Sequence, residues 1–346
     1  MAQERQSNIE LLRIIAMFMI LVIHANMISL PKPTSIDLST FPKATITRYL
    51  IESWGIVSVD CFVLISGWFL IKTRVKSILS FCFQIVFLWG GYFCFFLLEG
   101  KADLSLNNVL EIFAFTSWDW FIKAYIVLMI IAPILNSFLE NSTEKTQRYV
   151  ILGFFAFSST YGWLGGANRF FVDGYGPLHF IGLYLLAWYV HHTSKESNTP
   201  NKKYFELDKK YDLLIFAGCI ILNTFLGIIS LHLGINRYHT IYAYTNPITI
   251  IASLYLLLFF SKIKIKTNSV INYLAKSSFA VYLIHSQVNI RPLFNKGVQY
   301  LYDNFDGFFC IISLFFFLTF VYLISVVLDY PRLLIWNRIS NKFNLK

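Results

Sequence analysis

Three ionisable residues stand in one hydrophobic run near the N-terminus. Residues 8–26 read NIELLRIIAMFMILVIHAN, apolar enough to enter a bilayer, yet they carry Glu10, Arg13 and His24. On an α-helix the eleven steps from Arg13 to His24 amount to about three turns plus 20°, so the two side chains share a face. Glu10 falls about 60° from Arg13 and, at i,i+3, is placed to pair with it. The helix rise sets the guanidinium and imidazole levels roughly 16 Å apart, about half the hydrocarbon thickness of a membrane. Ionisable groups at such depth cost roughly 2.5 kcal/mol or more each, so a stripe of them expects a cavity, a partner or a substrate path. The competing reading has Arg13 snorkelling to one interface and His24 held structurally at the other. Their common face weighs against it.

Further candidates follow along the chain. The run ESWGIVSVDCFVLISGWFLIKTR carries Glu52 and Asp60, and its Ser66–Gly67 pair stands near the other end. Asp60 needs an Arg, Lys or His from a neighbouring helix, or else it stays protonated, and it fits pairing and function equally. Gly67 suits close helix packing and Ser66 a backbone hydrogen bond, with a ligand against the backbone as the alternative. Lys72, Arg74 and Lys76 form a compact basic cluster. Membrane orientation alone explains it, and so does recognition of the phosphates of a nucleotide-bearing donor. Asp119 and Lys123 are spaced to pair at i,i+4, and Pro133 is placed to kink or end its helix. Late in the chain, Tyr282 and His285 share a helix face in NYLAKSSFAVYLIHSQV. His179 and His239 lack companion spacing, and no cysteine pairing, zinc pattern or other metal site is visible.

The elements that must position these residues are membrane helices. The 346 residues are 56% hydrophobic and only 14% charged, far below the soluble average of about 25%. An all-α, polytopic membrane protein is expected, and its net charge of +10 has its explanation in loops against lipid, not in nucleic acid. Spanning-length windows fall at about 9–30, 49–71, 77–98, 120–139, 149–165, 175–191, 212–232, 241–260, 271–289 and 308–328, about ten transmembrane helices. With the N-terminus inside, 18 of the 29 Lys and Arg fall in inner loops and 8 in outer ones. The bias places both termini in the cytoplasm. The first helix reads as a retained anchor, residues 191–210 as a flexible inner loop, and residues 330–346 as a short basic tail at anionic headgroups. A single integral membrane domain over residues 1–346 is expected.

These residues resemble the integral membrane acyltransferase 3 family, whose bacterial members O-acylate surface polysaccharides and related glycans. The first-helix pattern, an Arg followed after ten residues by a His, is met by Arg13 and His24; DCFVLISGWF is similar to the second-helix Ser-Gly pattern, with Cys61 where the family usually has Phe; and YLIH at 282–285 matches the late pattern. The resemblance implies acyl-CoA, acetyl-CoA in the first instance, as donor substrate, with no permanently bound cofactor and a lipid-linked or surface glycan as acceptor. It implies a multi-pass enzyme of a bacterial inner membrane, without the extracytoplasmic hydrolase-like domain fused to some members. It makes His24 the catalytic base and Arg13 a contact to the CoA phosphates, joined by Lys72 and Arg74, with Glu10, Asp60, Ser66, Gly67, Tyr282 and His285 in supporting roles. A neutral imidazole suits that task, since its unperturbed pKa is near 6.5. A transporter or flippase of a lipid-linked glycan or small anion is the alternative, although no inverted repeat favours it. A glycan polymerase would be expected to present a large outer loop with basic residues, and a scaffold leaves the polar stripe unexplained.

Overall fold

The computed structural model describes residues 5–72, 74–115, 120–165, 170–195, 205–235 and 237–343. The described residues are helical, with no strand among them. Helix α1 is Ser7–Ile23, continued by a π-helical turn at His24–Ser29. There follow α2 (Ser35–Thr40), α3 (Pro42–Phe69), α4 (Val75–Leu98), α5 (Leu106–Glu111), α6 (Trp120–Asn141), α7 (Glu144–Phe157) and α8 (Pro177–Lys195). The remainder is α9 (Lys209–His232), α10 (Tyr238–Ile241), α11 (Pro247–Ser261), α12 (Ser269–Lys276), α13 (Ser278–His285), α14 (Arg291–Asn304) and α15 (Gly307–Lys342).

Six of these helices are long and apolar enough to cross a membrane: Ser7–Ser29, Pro42–Phe69, Val75–Leu98, Trp120–Asn141, Lys209–His232 and Gly307–Lys342. The other four expected windows also fall on helix, but in shorter or more polar pieces. Window 149–165 passes from α7 into a π-helical turn at Ser158–Leu164, and window 241–260 shrinks to the 15 residues of α11. Window 175–191 becomes α8, and window 271–289 breaks at Ser277 into α12 and α13, eight residues each.

Burial sorts the spans. About 72% of the apolar window of α3 is buried inside the protein, against 22% for α15. Helix α1 packs against α3, α11, α12, α13 and α15, and α3 against α8, α9 and α11. The polar stripe of α1 therefore faces protein and not lipid. Its start is pinned by Ser7, whose Oγ accepts the Asn268 N–H (2.8 Å) and donates to Asn272 (3.0 Å). Close approach of α1 and α3 depends on Gly55, where a Cβ would stand 2.1 Å from Ile23.

One expectation needs correction. Residues 330–342 are no separate tail: α15 runs through Pro331 to Lys342, and Asp329 and Arg332 within it form a buried, two-bond ion pair. Asp329 also accepts from Ser277 Oγ at 2.8 Å, so the end of α15 clamps the break between α12 and α13. Pro133 lies inside α6, which continues to Asn141, so of the two outcomes expected there only the helix end is ruled out. Asp119, and residues 196–204 of the expected loop at 191–210, lie outside the described residues; residues 191–195 continue α8 and α9 begins at Lys209.

Candidate functional site

Helix α1 changes its winding where it changes its chemistry. It is α-helical from Ser7 to Ile23, so Arg13 and the start of the π turn keep the common face expected of them. The switch to π geometry falls at His24, and Ser29 Oγ caps the freed His24 carbonyl at 3.0 Å. Such single π turns inside α-helices recur at functional sites.

His24 meets His285, the last residue of α13. Their facing nitrogens, His24 Nδ1 and His285 Nε2, are 2.8 Å apart, and His285 Nδ1 lies 2.6 Å from the Val281 carbonyl. A carbonyl can only accept, so His285 Nδ1 carries a proton and donates it. With both rings neutral, His285 Nε2 is a lone pair and takes the Nδ1–H of His24. The chain of bonds leaves His24 Nε2 as the unprotonated nitrogen. No described side chain or backbone group is bonded to it. The geometry is that of a general base whose tautomer is set from behind.

The pair stands on the wall of a cavity of about 700 Å³. Toward one end the lining includes Arg13 and Lys276; toward the other it includes Lys32, Glu52 and Tyr238. Arg13 Nε is 3.4 Å from Glu10, the i,i+3 ion pair expected, though without hydrogen-bond alignment. Glu10 is also held by Arg5 at 3.3 Å, which leaves the Arg13 side chain about a third exposed along the cavity. At the opposite end the buried Glu52 accepts from Tyr238 (2.7 Å) and Asn26 (3.2 Å), and Lys32 Nζ rests 4.0 Å over the Tyr238 ring. Aromatic rings wall the middle, with Phe81 stacked on Phe279 at 4.8 Å and Phe121 on Tyr125 at 5.8 Å.

The candidate residues divide by access to this cavity. Arg13, His24, Ser66, Tyr282 and His285 line it; Ser66 bonds Tyr125 at 3.0 Å, and the Tyr282 ring lies 6.1 Å from His285. Asp60 does not. It is wholly buried against His179, Oδ1 to Nε2 at 3.1 Å, so a histidine of a neighbouring helix supplies the donor it requires. Gly67 is a packing residue: a Cβ there would stand 2.3 Å from the Tyr184 carbonyl of α8. Lys72 and Arg74 are exposed and off the cavity wall. Lys276, counted within a span by its sequence, takes a place on the wall because the chain breaks beside it at Ser277.

Sequence reasoning did not single out Lys276 or Gln84, both of which line the cavity. The second had a visible signal, a lone amide in the apolar run SILSFCFQIVFLW. A family model described as an acyltransferase domain matches residues 6–330. No curated protein and no solved structure gives a significant match to the chain.

Proposed function

The chain belongs to this acyltransferase family, and from that premise we propose that it moves an acyl group, acetyl in the first instance, from cytosolic acyl-CoA to a hydroxyl of a surface or lipid-linked glycan. We read it as a multi-pass protein of a bacterial cytoplasmic membrane, with the Arg13 end of the cavity inward. The observation that carries the reading is the hydrogen-bonded His24–His285 pair on the wall of a cavity that reaches Arg13 on one side and Glu52 on the other.

In this reading the nucleotide stays at the Arg13 and Lys276 end, where two cations suit phosphate oxygens. Lys72 and Arg74 then lie outside the cavity, placed to steer the donor toward it and not to hold its bound phosphates. The thioester is carried about 16 Å by an extended arm to the level of His24. A glycan hydroxyl enters from the Glu52 end. Its oxygen attacks the thioester carbonyl carbon while His24 Nε2 takes its proton. The positive charge on the His24 ring is shared through its Nδ1–H bond to His285, whose own Nδ1–H rests on Val281. Collapse of the tetrahedral intermediate breaks the carbon–sulfur bond, and the proton on His24 Nε2 passes to the departing thiolate. The ester product and free thiol leave by opposite ends.

The test compares cells expressing wild type, His24→Ala and Arg13→Ala at matched membrane levels. Base-labile acyl groups on their surface glycans are weighed by mass spectrometry. Wild type adds an acyl mass that both variants lose, and the mass names the acyl group. Equal acylation in all three strains, with a change in glycan export instead, would overturn the enzyme reading in favour of a transporter.

A further inference from the structure

Helix α4 is largely exposed on its outer faces, and its buried positions are Gln84, Ile85, Leu88, Trp89 and Phe96. One of these five is an amide. Gln84 is only 7% exposed, lines the cavity and makes no hydrogen bond through its side chain; its Nε2 is buried without a partner. An unsatisfied buried amide costs roughly 1–3 kcal/mol, and apolar residues fill the other four buried positions of this helix at no such cost.

The position of Gln84 along the cavity is defined by its neighbours. One turn before it, Phe81 stacks on Phe279. Five residues after it, Trp89 Nε1 donates to the Leu283 carbonyl at 2.7 Å, two residues short of His285. Gln84 therefore lies between the Phe279 and Leu283 levels, on the Arg13 side of the histidine pair. The walls at this level are rings: Phe81, Phe121, Tyr125 and Phe279. The other polar atoms on the described walls at this level are hydroxyls: those of Tyr125 and Ser66 bond each other at 3.0 Å, and Tyr282, stacked on Phe279, carries a third.

We infer that Gln84 binds an amide of an extended, amide-bearing chain that threads the ring-walled stretch between Arg13 and His24, as the pantetheine arm of a CoA thioester would. The inference rests on the donor reading above and extends it to a contact on the arm. A primary amide carries N–H donors and a carbonyl acceptor, so Gln84 can donate to the carbonyl of a secondary amide on the arm or accept its N–H; these two groups point to opposite sides of a trans amide, so each arm amide makes one of the two bonds. A purely hydrocarbon occupant, such as a lipid tail, would leave Gln84 Nε2 without a partner. An amide between apolar walls also has little water to compete for it, which favours the bond.

The experiment measures binding to the purified full chain by calorimetry, using acetyl-CoA and, separately, adenosine 3′,5′-bisphosphate, which has nucleotide phosphates and no arm. Gln84→Leu is expected to weaken acetyl-CoA about tenfold and leave the bisphosphate unchanged. Gln84→Asn, one methylene shorter, should weaken acetyl-CoA in the same sense. Without ligand, Gln84→Leu should melt at or above the wild-type temperature, because it removes an unsatisfied amide. Three outcomes overturn the inference: acetyl-CoA binding unchanged, both ligands weakened alike, or a lowered melting temperature that marks Gln84 as structural. Wild type binding neither ligand would instead remove the donor reading on which the inference rests.

Discussion

Two histidine contacts have similar ingredients and different surroundings. Asp60 and His179 meet at 3.1 Å with both side chains wholly sealed, and neither lines the cavity. His24 and His285 meet at 2.8 Å on the cavity wall, and His24 keeps one nitrogen unbonded. A place among packed helices and a polar partner are common to both. Access to an occupant is not, and access separates a pair that can exchange a proton with a substrate from one that joins α3 to α8.

The comparison breaks most sharply at His24. Replacing a general base commonly costs about 10²–10⁴ in rate, so His24→Ala should lose at least about a hundredfold in acyl transfer per folded molecule. His179→Ala, in the sealed pair, should keep its rate within about threefold. Melting temperature and transfer measured on the same preparations check both. A His179 variant as inactive as the His24 variant, yet fully folded, would remove the distinction.

His285 sharpens the same contrast, since in the proposed mechanism it acts through His24. His285→Ala removes the acceptor for His24 Nδ1–H and frees the wrong tautomer; a loss of about tenfold to a hundredfold in kcat is expected, with the donor KM little changed. His285→Gln supplies a carbonyl oxygen in place of the lost lone pair and should recover part of that loss. A purely structural histidine would show lowered stability in both variants and no selective recovery of kcat.

The sealed pair should be felt in stability instead. Asp60→Ala leaves His179 Nε2 buried without its partner, in addition to the Nδ1 that already lacks one, and should cost roughly 1–3 kcal/mol. Thermal unfolding in detergent reads that loss directly. Unchanged stability would mean that the contact contributes nothing.

How far these assignments were legible in the chain depends on how local they are. Arg13 and His24 lie on one helix, so periodicity alone predicts their common face, and the α1 winding keeps it as far as the π turn. The Glu10–Arg13 pair is equally local. The contact of His24 with His285 joins residues 261 apart, and no spacing rule reaches across that distance. Span counting succeeded where a helix is continuous and uniformly apolar. It was weaker at residues 271–289, because Ser277 breaks the helix where Asp329 offers a buried acceptor from another segment. Clustering in the sequence drew attention to Lys72 and Arg74, whereas the fold places the isolated Lys276 on the wall.

That last displacement gives the smallest and most selective prediction. Two exposed cations beside a cavity attract an anionic donor over a Debye length of about 8 Å at physiological salt, and salt screens them. In the proposed reading a cation on the wall bonds the donor phosphates directly and is screened less. Lys276→Ala should therefore raise the donor KM about tenfold at every salt concentration. The double variant Lys72→Ala, Arg74→Ala should raise it by about threefold or less at low ionic strength, and the increase should vanish near 0.5 M salt. KM for acetyl-CoA, measured at two salt concentrations for the three proteins, decides the matter. A salt-resistant tenfold loss in the double variant would move the phosphate site out of the cavity and onto the start of α4, leaving Lys276 a bystander.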